Sequence, residues 1–252
     1  MNRHTATVFF LWFALTAVGE FVILGTDLFR YPVAAAEEAT VVDEAFLFLT
    51  VLAVPVPAFV LSVLAYSVLR FRSRGPEQDG PPVHINRSWT VFWLSWTTGL
   101  TLFVIIFPGI TGLLEIRHHG AGPVDLVVQA EGSRWVWKMT YPKEGVTSRE
   151  ELVLPVGKHV RFDVTATDVL HSFWVPAFRV KIDAVPGMVT TVHATPTKTG
   201  SFLEEPQFRL QCAELCGLAH NIMRVPVRVV SEEEFAAWVA AQRARQARSP
   251  QT

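Results

Sequence analysis

The first half of the chain is laid out in long uninterrupted apolar runs and the second half in short alternating ones. Three runs, roughly Thr5–Gly25, Phe46–Leu69 and Trp89–Leu114, stand out in the first half. Each holds about 20 residues or more, enough to cross a hydrocarbon core of ~30 Å as helix at ~1.5 Å per residue. From about Pro123 the period drops to two, as in Val124-Asp125-Leu126-Val127-Val128, Ser133-Arg134-Trp135-Val136-Trp137-Lys138 and His159-Val160-Arg161-Phe162-Asp163-Val164, and such alternation predicts half-buried strands. Turn signals separate them at Pro142, Pro155-Val156-Gly157, Pro186-Gly187 and Pro196 to Gly200. Short strands at this spacing predict a sandwich or barrel of roughly 110 residues. The tail from Ser231 predicts a helix, because Ser231 can cap and Glu234 stands three residues later, with Phe235, Trp238 and Val239 on one edge. The expected architecture is a membrane-anchored all-β protein in four parts: a first helix and outer loop over 1–44, a transmembrane hairpin over 45–119, an outer β-sandwich or barrel domain over 120–230 and a helical tail over 231–252.

Charge orients the spans. Arg70, Arg72, Arg74 and Arg87 bracket the second connection and Arg3 precedes the first run, so the positive-inside rule puts the amino terminus and the Ser73–Ser88 loop in the cytoplasm, and everything after about Leu114 outside. Gly75, Pro76, Gly80, Pro81 and Pro82 keep that loop irregular. Two readings of the first run stand. A retained helix is favoured by Asp27, Arg30 and Pro32, which leave too long a gap before Ala34-Ala35-Ala36 for an ordinary cleavage region; a cleaved signal peptide is the other. Glu20 within this run is either a functional intramembrane acid or a carboxylate reaching the outer interface. Pro55 and Pro57 predict a kink near the start of the second span.

Composition narrows the function. The chain of 252 residues is 50% hydrophobic, with a net charge of −1, so no basic face offers itself to nucleic acid. Its only cysteines are Cys212 and Cys216, too few for a disulfide framework; they either pair with each other or do chemistry. The run from Gln211 to Met223 places both thiols beside Glu214, His220 and Met223. Thiolate and thioether are soft ligands that favour copper, which imidazole also suits. Two thiolates facing one pocket can bridge a pair of copper ions, and His171 in His171-Ser172-Phe173-Trp174-Val175-Pro176 is the expected terminal ligand from elsewhere.

With these motifs the chain resembles subunit II of the heme-copper cytochrome c oxidases over roughly Phe46 to Val230. The motifs that carry the resemblance are Cys-x-x-x-Cys-x-x-x-His-x-x-Met with Glu214 between the cysteines, the His171 run, and Val180-Lys181-Ile182-Asp183-Ala184-Val185-Pro186-Gly187. The resemblance implies a cupredoxin-like fold for residues 120–230 and a dinuclear copper A centre with Cys212 and Cys216 bridging, His171 and His220 as terminal ligands, Met223 as a weak ligand and Glu214 binding through its backbone carbonyl. It implies further that the Glu214 carboxylate reaches a magnesium ion shared with subunit I, and that Trp135 is the point of electron entry from cytochrome c. The expected partners are subunit I, other oxidase subunits, cytochrome c and the lipid membrane, with the copper domain on the outer side of the cell membrane.

Three departures from the family pattern are visible. The first span is additional to the common two-span plan. Where the family carries a proton-entry glutamate before Trp89-Thr90, this chain has Asn86, with His84 nearby. From Gly120 onward 14 acidic residues face 15 basic ones, so no bulk attraction for a basic donor is evident, although Asp168, Asp183, Glu204 and Glu205 offer material for a local patch. The competing readings are the copper subunit of a nitric oxide reductase and a membrane-tethered copper-binding assembly protein. A quinol oxidase subunit would lack the copper ligands, and a disulfide-bonded anchor domain would bind no metal.

Overall fold

A computed structural model describes residues 2–29, 31–72, 75 and 86–248. The connection expected in the cytoplasm, His84 included, lies mostly outside these residues. The chain divides into two compact units, one of residues 1–31 and 44–111 and one of residues 32–43 and 112–252.

In the first unit, α1 (Arg3–Gly25) packs along α3 (Pro55–Arg70). The indole N–H of Trp12 donates to the Pro55 carbonyl at 2.8 Å. α2 (Glu37–Ala53) runs into α3 at Val54, where Pro55 stands at the first position of the new helix, a place at which a missing amide proton costs little. α4 (Arg87–Val104) opens on Asn86, whose side chain accepts from the Trp89 amide at 3.1 Å; Asn86 is thus a helix cap. A π-helical stretch over Ile105–Ile110 contains Pro108 and leads into α5 (Thr111–His119). Among the described residues three helices, Arg3–Gly25, Glu37–Arg70 and Arg87–His119, are long and apolar enough to cross a membrane. The second begins nine residues before the apolar run, because Glu37, Glu38, Asp43 and Glu44 break the hydropathy but not the helix, and acids in the first turn favour its N-terminus.

In the second unit, eleven strands among the described residues form two sheets around one core. One sheet has the order β3 (Val146–Ser148), β2 (Val136–Tyr141), β1 (Leu126–Ser133), β5 (Val160–Ala166), β8 (Thr190–Ala194). The other has the order β4 (Leu152–Pro155), β11 (Arg224–Val230), β10 (Arg209–Cys212), β6 (His171–Val175), β7 (Val180–Ala184), and β9 (Gly200–Ser201) pairs with β11. Alternation along β5 is complete: Val160, Phe162, Val164 and Ala166 are buried and the residues between them are not. These meet Trp137, Met139, Phe173 and Leu210 in the sandwich core, a membrane-anchored cupredoxin-like arrangement. Tyr141 is fully buried, and its hydroxyl donates to the Val153 carbonyl while accepting from the Val153 amide, both at 3.0 Å. The tail forms α6 (Glu232–Arg248), opened by a reciprocal capping box between Ser231 and Glu234, at 3.2 Å each way.

Residues 32–43 belong to this β unit. Ala36 bridges Pro196, and backbone bonds join Ala35 to Ala177 and Thr197, and Glu37 to Thr195. Ala35 and Ala36 are buried. The alanines that resemble a cleavage site are therefore part of the β core. Arg179, in a left-handed conformation, clasps Asp43 at 2.8 and 2.9 Å and the carbonyls of Pro32 and Val33.

Candidate metal centre

The ligand loop hangs between β10 and β11. Cys212 ends β10, Met223 precedes β11, and the Cys212 amide donates to the Met223 carbonyl at 2.9 Å, so an antiparallel pair closes the loop at its base. β10 also pairs with β6, setting Cys212 opposite Phe173 and bonding Ala213 to the Ser172 carbonyl. That register brings His171, the first residue of β6, to the same end of the sheet from 41 residues away.

The donor atoms converge. The two sulfurs lie 3.8 Å apart, far beyond the ~2.05 Å of a disulfide, and both cysteines are free. His171 Nδ1 is 3.8 Å from Cys212 Sγ, His220 Nδ1 is 3.5 Å from Cys216 Sγ, and Met223 Sδ is 3.8 Å from Cys216 Sγ. The Cys212 thiol donates to the Glu214 carbonyl at 3.2 Å, so the backbone of Glu214 turns in while the residue itself is exposed. Cys212, Cys216, His171 and Met223 are buried. Within this cluster His171 and the two cysteines offer ligand atoms within 4.8 Å of one another. Two soft sulfurs, imidazole nitrogens, a thioether and a carbonyl make a donor set that fits copper. Burial, and after it the neighbouring Cys212, pushes the Cys216 thiol up to about 11, so binding a metal through this sulfur requires it to give up its proton.

Two features hold this geometry. Asp168 Oδ1 accepts from His171 Nε2 at 2.9 Å, which leaves Nδ1 unprotonated toward the sulfurs. Burial raises Asp168, but the hydrogen bonds it accepts from His171, from the amides of Arg134 and Val169 and from the Arg134 side chain outweigh that and hold its carboxyl well below the usual carboxylate range. This positioning role escapes the sequence reading, in which Asp168 is a surface acid; its place three residues before His171 is the signal that was there. Asp168→Asn exposes an NH₂ to groups that are all donors. The expected outcome is copper retention weaker by about 10- to 100-fold, checked by chelator competition. The second feature is Gly132, where an added Cβ would come within 3.1 Å of the His171 and Trp137 rings.

Trp135 lies between β1 and β2, partly exposed, with its indole N–H donating to the Cys216 carbonyl at 3.2 Å. Gly217, at a φ of 114°, turns the loop where this ring lies 3.4 Å from the position a Cβ would take. Of the acids considered for a patch, Asp183 stands opposite Ser172, next to His171, and the others are paired or lie apart. Asp168 is paired with Arg134 and His171, and Glu204 and Glu205 adjoin Ser201, which pairs with Arg228. Arg228 stands about 13 Å along β11 from its metal-proximal end at Arg224. His159 and His193, which no sequence motif marks, are bonded to each other at 2.9 Å.

Comparison with known proteins gives the family. Residues 144–230 match the family model of the cytochrome c oxidase subunit II periplasmic domain. The cytochrome c oxidase subunit 2 of Thermostichus vulcanus is 32% identical, covering 82% of this chain and 76% of that protein. The alternative cytochrome c oxidase subunit 2 of Bradyrhizobium diazoefficiens is also 32% identical, over 73% of this chain and 74% of that protein. Among solved structures, the periplasmic domain of subunit II of the Bradyrhizobium japonicum cytochrome oxidase is 36% identical over 49% of this chain and 97% of its own, with a TM-score of 0.45. A copper centre and a membrane-anchored chain with a periplasmic carboxy-terminal domain follow from the family, and relatives of this extent and identity show that the chain belongs to the cytochrome c oxidase subunit 2 family.

Proposed function

We propose that this subunit receives electrons from a cytochrome c at Trp135 and delivers them to subunit I from a dinuclear copper A centre held by Cys212, Cys216, His171, His220, Met223 and the Glu214 carbonyl. The observation that carries the reading is the pair of unbonded, buried sulfurs 3.8 Å apart with an imidazole nitrogen beside each. A thiolate-bridged copper pair supplies a one-electron carrier whose charge is spread over both ions. The chain's part is rigidity. His171 is held by Asp168, Cys212 by its bond to Met223, and the loop by Ala213 on Ser172, so little needs to move when the charge changes. The exposed Glu214 carboxylate is free to share a magnesium ion with subunit I. Three spans, with the amino terminus inside, would carry residues 120–230 outside. The nitric oxide reductase reading gains no support from the relatives named above, which are oxidase subunits.

Electron paramagnetic resonance of the copper-loaded protein tests this. The expected spectrum has hyperfine splitting from one electron shared equally by two copper nuclei. Splitting from a single nucleus in the unmodified protein would overturn the dinuclear reading.

A further inference from the structure

A cavity of about 600 Å³ opens in the β unit, away from the metal ligands. Its wall includes Arg117 in the last turn of α5, Ala121 just beyond that helix, Lys181 of β7, His193 of β8 and Glu38 in the first turn of α2. Its charges do not balance. Arg179, also on the wall, is matched by Asp43. Arg117 and Lys181 have no ion-pair partner among the described residues, and burial, followed by the neighbouring His159, lowers His193 from its ordinary value and so favours its neutral form. Against these two cations stands Glu38, 3% exposed. Its Oε2 accepts from the Thr195 amide at 3.0 Å, and its Oε1 has no donor at all. A buried acceptor left without a donor is costly, and an arginine at a span end is ordinary by itself. Together they describe a site with one net positive charge that lacks both an anion and a hydrogen-bond donor.

The depth of the site indicates where such a ligand comes from. Arg117 is in the last turn of the apolar helix Arg87–His119, so covalent continuity alone keeps the cavity close to the level at which that helix leaves the hydrocarbon, where phospholipid headgroups lie. We propose that the cavity binds the headgroup of an anionic glycerophospholipid of the phosphatidylglycerol kind. Its phosphodiester sits against Arg117 and Lys181, and a headgroup hydroxyl supplies the donor that Glu38 lacks. A choline headgroup has the phosphate but no donor, and its fixed cation removes the net charge.

Native mass spectrometry of the assembled oxidase tests this, after delipidation and re-addition of one phospholipid class at a time. Phosphatidylglycerol is expected to remain on this subunit, with phosphatidylcholine retained about tenfold less. In the double variant Arg117→Ala, Lys181→Ala phosphatidylglycerol retention is expected to fall about thirtyfold, while an unchanged copper spectrum shows that the β unit is folded. Inorganic phosphate in excess should not displace the lipid. Equal retention of the two lipids, undiminished retention in the double variant, displacement by inorganic phosphate or no retained lipid would each overturn the proposal.

Discussion

Cys216→Ser is expected to abolish the shared-electron copper signal and with it turnover on cytochrome c. Cys216 Sγ is the hub of the donor cluster, within 3.5 Å of His220 Nδ1 and 3.8 Å of both Cys212 Sγ and Met223 Sδ. Serine replaces a polarisable thiolate with a smaller, harder oxygen that copper binds poorly, and it puts a hydroxyl into a position only 5% exposed. Cys212 and His171 survive the change, so one ion has ligands left, but the second bridging atom is gone. Copper analysis should find at most one ion per chain. Met223→Leu is the control, since it keeps the buried volume nearly constant and removes only the weak ligand: both ions stay, the shared signal stays, and the reduction potential shifts. A shared-electron signal in the serine variant would rule out bridging by Cys216.

Much of this centre is legible in the sequence because a metal site concentrates unusual residue types at short spacing. Cys212 to Met223 occupy one loop, and the His171 run carries its own motif. Strands such as β5 are legible for a similar reason, since a face packed on a core writes its period into the chain. What the sequence does not display is whatever depends on pairing between distant residues that are chemically ordinary. Ala35 and Ala36 look like small residues ahead of a span, and only the bridge from Ala36 to Pro196 makes them part of the β core. Asp168 looks like a surface acid until β6 is seen to aim His171 at the sulfurs, and Glu38 looks like an ordinary first-turn acid until Thr195 is found on one oxygen and nothing on the other. The start of the second long helix at Glu37 is hidden for a different reason, because hydropathy marks the lipid-facing part of a helix and not its polar first turns.

Trp135→Phe is expected to slow electron entry from cytochrome c severely while leaving the copper centre intact. The indole does two things, of which a phenyl ring can do only the first. Its partly exposed face offers a donor a π surface at the outside of the domain, and its N–H reaches the Cys216 carbonyl at 3.2 Å, joining that surface to a residue of the centre by a single hydrogen bond. Phenylalanine keeps an aromatic face but has no N–H, so the link becomes a gap between unbonded atoms, across which electronic coupling decays steeply. The ring lies over Gly217, where the smaller phenyl still fits, so copper content and the shared-electron spectrum should match the unmodified protein. Charge attraction from Asp168 has little part in this step, because that carboxylate, bonded to the Arg134 amide next to Trp135, is already paired with the Arg134 side chain and His171; raising the salt concentration should therefore change the association rate less than it would for a donor steered by an acidic patch. Stopped-flow reduction separates the alternatives. Slow reduction by cytochrome c with normal reduction by a small mediator identifies Trp135 as the entry point, whereas unchanged rates with both place electron entry elsewhere on the domain.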